Sequence, residues 1–354
     1  MIDLDDVGSL RGGDPSGMLD LVGSLAGQVR DGYDTGLTAS GLPSADGISA
    51  IVVCGMGSSA VGGDFLRAVF GGRVRMPIEV NRTPELPAYC GPHTLVVASS
   101  YSGGTAETLA CFAEALERGC RVVALTSGGA LAEAAARAGL GTIPVPAGFV
   151  APRSTLGYTS LALLGGLEAL GVIPSIRDDV DEAAKELEAL TTKLGPDVPS
   201  SENPAKRLAV AIGTRVPVVW GAEGISAVAA YRWRTQFHEN AKVPAFASSL
   251  PELDHNEVVG WAPRRGEGFF LVALRHEGEH PDVALRFPLS ITFVTEAGAP
   301  AEQVWAAGRS PLARLFSLVL MGDYAATYHA LARSIDPMPI AAIDRLKAAL
   351  AEAT

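Results

Sequence analysis

From Ile51 onward the chain alternates between short, unbroken apolar runs and stretches of helical period. The runs are Ile51–Cys54, Pro77–Val80, Leu95–Ser99, Val122–Thr126 and Thr142–Val145. Helical spacing lies between several of them, over residues 59–70, 105–118 and 130–138. Continuous apolar strands alternating with helices imply a parallel sheet covered on both faces, the doubly wound α/β pattern. Ahead of it, Met18, Leu21, Val22, Leu25 and Val29 recur at helical spacing after Asp14-Pro15-Ser16, which predicts a first helix packed on a domain.

Residues 151–194 read as mostly helical, interrupted at Pro174 and ended by Gly195-Pro196. The stretch to Pro204 holds Pro196, Pro199 and Pro204 and reads as a linker. The alternation then restarts. A helix over Asn203–Ile212 precedes a strand at Val216–Trp220 and a helix at Ile225–Asn240. Ala245–Ser248, Phe269–Leu274 and Ile291–Val294 read as further strands, Pro311–Ser334 as a long helix, and Ile340–Ala353 as a C-terminal helix. The expectation is two tandem α/β domains, each a parallel sheet flanked by helices, over residues 1–195 and 196–354. The length of 354 residues agrees with two cores of about 150 residues each.

Composition narrows the function. A formal net charge of −11 argues against nucleic acid, whose phosphates are bound by basic faces. It does not exclude a small phosphate, because backbone N–H groups and hydroxyls hold one without global positive charge. The four cysteines (54, 90, 111 and 120) form no CxxC and no Cys/His cluster, so no metal site is indicated and reduced, buried thiols of a cytoplasmic protein are expected. The acidic start has no signal-peptide pattern, and no apolar stretch is long enough to span a membrane.

Two strand ends carry unusual loops: Gly55-Met56-Gly57-Ser58-Ser59-Ala60 and Ser99-Ser100-Tyr101-Ser102-Gly103-Gly104-Thr105. Both open helices beyond the carboxyl ends of strands, where ligands of open parallel sheets bind. Helix N-termini offer free N–H groups, and Gly57, Ser59, Ser100, Ser102 and Thr105 form a phosphate-binding set. Gly55-x-Gly57 also suggests a dinucleotide fingerprint, but no carboxylate ends the next strand, where that fingerprint needs one. The bland alternative is a pair of ordinary strand-to-helix turns, with Thr105 as an N-cap.

Ser100-Tyr101-Ser102-Gly103-x-Thr105-x-Glu107-Thr108 resembles the phosphate motif of sugar isomerase (SIS) domains. Together with the upstream Gly55-Met56-Gly57-x-Ser59 and the tandem organisation, it resembles the bifunctional phosphoglucose/phosphomannose isomerase family over nearly the whole chain. The resemblance implies two SIS domains and aldose–ketose isomerisation of a hexose 6-phosphate, with neither metal nor redox cofactor. It implies Glu239, in Phe237-His238-Glu239-Asn240-Ala241-Lys242, as the base. It implies His255, in Leu253-Asp254-His255-Asn256-Glu257, as a ring-opening group contributed across a homodimer. It implies Arg153 as a stabiliser of the enediolate, and Lys347, in Ile343-Asp344-Arg345-Leu346-Lys347, as a further ring-opening group. His238 is a rival to these outside the family pattern. Such chemistry needs an acid and base for ring opening, a base at C2, a positive group for the enediolate and a held phosphate.

The chain departs from the family pattern at Ser58, where glycine is usual, at Gly104, where asparagine is frequent, and at Met338, where a smaller polar residue is common. The last bears on the choice between glucose and mannose epimers. A non-catalytic SIS protein that binds a sugar phosphate and an amino-sugar-phosphate isomerase or deaminase remain open, since fold alone does not decide function.

Overall fold

The computed structural model describes residues 2–149, 151–261 and 263–353. The chain divides into two compact units that are not contiguous in sequence. One comprises Ser24–Glu188 with Ala307–Phe316; the other comprises Met1–Gly23, Ala189–Ala306 and Ser317–Thr354. The residue pattern alone suggests one contiguous boundary between 195 and 196.

The Ser24–Glu188 unit holds five strands: β1 Ala50–Gly55, β2 Ile78–Asn81, β3 Thr94–Ser99, β4 Arg121–Thr126 and β5 Thr142–Pro144. They form one parallel sheet in the order β2-β1-β3-β4-β5. Every residue of β1 and β3 is buried, as continuous apolar runs covered on both faces require. On one face Val52, Val96, Ala98 and Ala124 pack with Phe112 and Leu131 from the covering helices.

The second unit holds β6 Val216–Ala222, β7 Phe246–Leu250, β8 Phe269–Arg275 and β9 Ala301–Trp305, all parallel in the order β7-β6-β8-β9. The architecture of the first half therefore recurs. One expected strand does not. Ile291–Val294 lies inside a helix, Arg286–Glu296. Phe287, Ser290 and Val294 face inward at helical spacing, so burial selected the 3.6 period over the β-prone composition of this run. The fourth strand, β9, comes later and was missed because it is short, half-polar and at a sheet edge.

The first helix is also two, Met18–Gly23 and Leu25–Leu37. The Asp14 carboxylate accepts from the Met18 and Leu19 N–H groups, both at 2.8 Å, which starts the former. The proline-rich 195–204 stretch is fastened rather than loose. Lys206 Nζ donates to the Pro196 carbonyl at 2.8 Å, and Asn203 caps the next helix through Ala205 N and Lys206 N. Among the described residues no helix is long and apolar enough to cross a membrane.

His329 is buried on the Pro311–Ala332 helix. It donates Nδ1–H to the Ala209 carbonyl at 3.1 Å and meets the Phe237 ring edge-on. Burial pushes its pKa below the ordinary value. The unfolded chain therefore takes up a proton as pH falls through about 6.5 while the folded protein does not, so stability is lost on acidification. The thermal midpoint is expected to fall less steeply between pH 7 and 5 in His329→Gln than in the parent, as read by calorimetry across that range.

Candidate functional site

In the Ser24–Glu188 unit, β1 connects to β2 on one side and β3 lies on the other, so the chain reverses direction at the β1/β3 pair. That reversal opens a crevice beyond the strand ends. Both hydroxyl-rich loops are there. Gly55, the last residue of β1, lies against β3 so tightly that a Cβ would stand 2.9 Å from the Ser99 carbonyl oxygen. The Ser99 hydroxyl donates to the Ser59 carbonyl at 2.8 Å, and the Ser59 hydroxyl accepts from Tyr101 N at 3.1 Å. Ser59 thus ties the two loops together and keeps its own O–H available to donate.

Two helices start at this crevice, Ser58–Phe70 and Ala106–Glu117. Neither has a side-chain cap. Gly57 precedes the first with φ +52, a conformation glycine adopts without penalty. Thr105 precedes the second, but its hydroxyl pairs with Ser100 Oγ at 2.9 Å instead of capping. Thr105 is therefore the N-cap by position, as expected, and its carbonyl accepts from Leu109 N at 3.0 Å, but its hydroxyl makes no capping bond. The first-turn N–H groups stay free of side-chain acceptors, a feature that favours anions at helix starts. Ser102 is exposed, and its Oγ accepts from Gly104 N at 3.3 Å.

The loop's shape is held from below by the next strand end. Leu131 N donates to the Gly103 carbonyl at 2.9 Å, and Ser127 N to the Tyr101 carbonyl at 3.1 Å. The Tyr101 hydroxyl accepts from Phe149 N at 3.1 Å, which draws the segment leading to Arg153 toward the loop. Arg153 itself is buried, at 4% exposure, in the turn Pro152–Thr155, and is not a solvated surface side chain. That turn is braced by Gln28, whose Nε2 donates to the Ser154 carbonyl at 2.8 Å and whose Oε1 accepts from Gly157 N. Beneath the crevice, the Cys54 thiol is pushed well up by its hydrogen bond to the Cys111 thiol and by burial, and stays protonated. All four cysteines are free thiols.

In the other unit the corresponding reversal lies between β6 and β8. Its loops carry Glu223, Glu277 and Glu279, and the one serine at its helix start, Ser226, accepts from Ala222 N at 2.8 Å. Arg275, at the end of β8, is committed to Glu279 through Nε and Nη2 at 3.0 and 2.7 Å. The second crevice is thus the more acidic of the two, and the first the richer in hydroxyls.

Glu239 ends the helix Ile225–Glu239. The helix leaves the carboxyl rim of the sheet after β6 and descends to the amino rim, where residues 240–245 lead into β7. It is locked to the Pro311–Ala332 helix. Arg232 makes a buried two-point pair with Asp323 at 3.1 and 2.8 Å, and Trp233 Nε1 donates to the Leu318 carbonyl at 2.7 Å. Breaking such a buried pair costs about 3–5 kcal/mol. His238 is occupied by the Ala245 backbone, at 3.0 Å to O and 3.1 Å to N, so this rival has a structural task.

Lys242 was missed by sequence reasoning. At φ +56 its ammonium donates to the Glu239 and Pro337 carbonyls, at 2.5 and 2.9 Å, tying the helix end to the segment that carries Met338. No sequence signal announces the clamp, because Pro337 comes from 95 residues away.

His255 closes a short turn, Glu252–His255, that follows β7 at the carboxyl rim. Asp254 beside it is pinned by Arg286 at 3.0 Å and Ser290 at 2.6 Å, while the His255 ring is exposed. Glu239 and His255 are thus on opposite rims of one sheet, separated by the length of β7, about 16 Å. Lys347 is exposed on the Ala341–Ala353 helix and has no hydrogen bond or ion pair among the described residues. Among the described residues no group of three metal-type ligands forms.

Comparison with known proteins agrees with this layout. A family model described as "Bacterial phospho-glucose isomerase C-terminal SIS domain" matches residues 201–350. A bifunctional phosphoglucose/phosphomannose isomerase of Caldicellulosiruptor bescii is 37% identical over 95% of this chain and 99% of its own. One from Thermoplasma acidophilum is 34% identical over 84% of this chain and 89% of its own. Among solved structures, a hypothetical protein of Thermus thermophilus superposes with a TM-score of 0.72 at 18% identity, over 95% of this chain and 90% of that one.

A side chain at Gly103 would meet the Gly128 carbonyl oxygen at 1.9 Å while holding φ +68. Gly103→Ala is expected to destabilise by about 1–3 kcal/mol, measured as a lowered denaturant midpoint at unchanged slope.

Proposed function

The chain belongs to the bifunctional phosphoglucose/phosphomannose isomerase family, and from that premise we propose that it interconverts glucose 6-phosphate and mannose 6-phosphate with fructose 6-phosphate through a cis-enediolate. The observation that carries the reading is the pair of uncapped helix starts at the β1/β3 crevice, with the Ser100 and Thr105 hydroxyls facing each other between them. That loop binds the 6-phosphate through Gly57, Ser59, Ser100, Ser102 and Thr105. A dianion held by backbone N–H groups and hydroxyls needs no basic protein, in keeping with the net charge of −11. The same charge disfavours nucleic acid as a partner, and four free thiols fit the cytoplasm.

Holding the phosphate fixes C1 and C2 of the open chain. Glu239 removes the C2 proton of the aldose, and electrons move to the carbonyl oxygen to form the enediolate. Arg153, buried and permanently charged, stabilises that anion. Return of the proton to C1 gives the ketose, and the step is redox-neutral, so no electron acceptor is needed. Delivery to either face of C2 yields the two epimeric aldoses. His255 and Lys347 open the sugar ring, Lys347 once its exposed helix covers the sugar.

The opposite-rim positions of Glu239 and His255 support a homodimer in which His255 serves the partner's site. With both groups in one chain's sheet, neither can reach a sugar held by the other without that exchange.

Chelator-treated protein supplied with fructose 6-phosphate is expected to produce both aldoses by NMR, and Glu239→Gln to lose a factor of about 10²–10⁴ in kcat. Binding of the sugar phosphate without turnover would reveal a non-catalytic protein, and ammonia release from glucosamine 6-phosphate an amino-sugar enzyme.

Subunit exchange tests the dimer separately. Glu239→Gln and His255→Asn proteins, each inactive alone, should recover about a quarter of parental activity after mixing and refolding, because a two-fold dimer then holds one intact site in half of its assemblies. No recovery would return both groups to one chain.

A further inference from the structure

The second unit contains a cavity of about 360 Å³ near the amino-terminal half of β7. Its walls include Phe246, Trp261, Phe269, Arg234, Arg265 and Glu257. Phe246 and Phe269 open β7 and β8, so the cavity is at the amino rim, away from the carboxyl-end reversal. The volume is in the range of small-molecule sites, and the mix of aromatic walls with a few convergent polar groups is typical of them.

The polar groups decide what fits. Trp261 is held edge-on against Trp220 and Phe269, with ring centroids 6.2 and 5.6 Å away, which makes a rigid aromatic wall. Its buried Nε1–H has no acceptor among the described residues, and neither has the buried Nε–H of Arg234. Arg234 stacks on Tyr231 at 4.3 Å, and neither it nor Arg265 has a carboxylate partner among the described residues. The one carboxylate, Glu257, already accepts from Trp220 Nε1 at 2.8 Å. The walls therefore carry two cations against one engaged anion, with two orphan donors. Such donors are costly to leave unpaired, and an acceptor would relieve that cost.

We propose that this cavity binds a small apolar carboxylate, its acid group on Arg234 and its hydrophobic body against Trp261, Phe246 and Phe269. A singly charged carboxylate matches the guanidinium fork in two points and is less costly to desolvate here than a doubly charged phosphate. The unused oxygen of Glu257 offers a seat for an ammonium, so an aromatic amino acid and an aromatic acid share the required chemistry.

Titration with phenylacetate and with L-phenylalanine, followed by calorimetry and by the indole ¹H–¹⁵N resonances, tests this. At least one should bind with Kd on the order of 1 mM or tighter and move the Trp261 resonance, assigned with Trp261→Phe. Tighter phenylalanine binding would bring Glu257 into the site, and tighter phenylacetate binding would leave it out. Either supports the assignment. Arg234→Met should weaken binding about ten-fold or more. Ala247→Phe, which fills the cavity, should abolish it, with both variants retaining the parental circular dichroism and isomerase rate. The proposal is overturned if neither compound binds below about 10 mM, if Arg234→Met binds as the parent does, or if inorganic phosphate competes equally well. An Ala247→Phe protein that changes only the sedimentation mass would also overturn it, showing that a second copy of the chain covers this wall.

Discussion

Everything at the phosphate crevice depends on how closely two backbones can approach. β1 and β3 run side by side and then part, and at the point of parting Gly55 faces the Ser99 carbonyl with no room for a side chain. That approach lets Ser59 exchange hydrogen bonds with Ser99 and Tyr101, so two loops from different strand ends become one rigid surface. The Gly103–Gly128 contact repeats the constraint one strand further along. Rigid donors of this kind would meet an anion without reorganisation.

The second unit is organised around a different necessity, which is fixing the end of one helix. The Ile225–Glu239 helix carries Arg232 and Trp233 inward on successive positions, and the Pro311–Ala332 helix answers with Asp323 and the Leu318 carbonyl. Gly322 makes the fit possible, since a Cβ there would stand 2.2 Å from Trp233 Nε1. Asn240 continues the lock toward Thr327 at 3.4 Å, and Lys242 closes it on Pro337. The carboxylate at the helix end therefore inherits its position from groups nearly 90 residues away. The segment around Met338, where the chain departs from the family pattern, is tied to the same point.

The repeated architecture does not mean repeated chemistry. Both sheets reverse direction at equivalent strands and both reversals open an uncapped helix, yet the first gathers Ser59, Ser100, Ser102 and Thr105 while the second carries Glu223, Glu277 and Glu279. The other spends its arginine on Glu279 and on the rings of Phe287 and Trp305. Two crevices of similar topology therefore differ in side-chain chemistry.

Much of this was legible in the residues themselves. Unbroken apolar runs such as Ile51–Cys54 and Leu95–Ser99, each ended by a glycine- or serine-rich loop and followed by a helical pattern, are doubly covered strands, and the hydroxyl loop is local, built from residues within one turn of a strand end. The Ile291–Val294 run was misread because a four-residue apolar stretch does not reveal its period; the burial of Phe287, Ser290 and Val294 does. β9 was missed because an edge strand need not be apolar. What the sequence determined by itself was the alternation of elements and the chemistry of the hydroxyl loop, because both follow from neighbours along the chain. What only the tertiary structure decided was that the Thr105 hydroxyl pairs with Ser100 and not with its own helix, that Arg153 is buried, that Lys242 clamps the end of the Glu239 helix, and that Glu239 and His255 stand on opposite rims. Each of these depends on the path of the chain through space, which residue type and spacing do not encode.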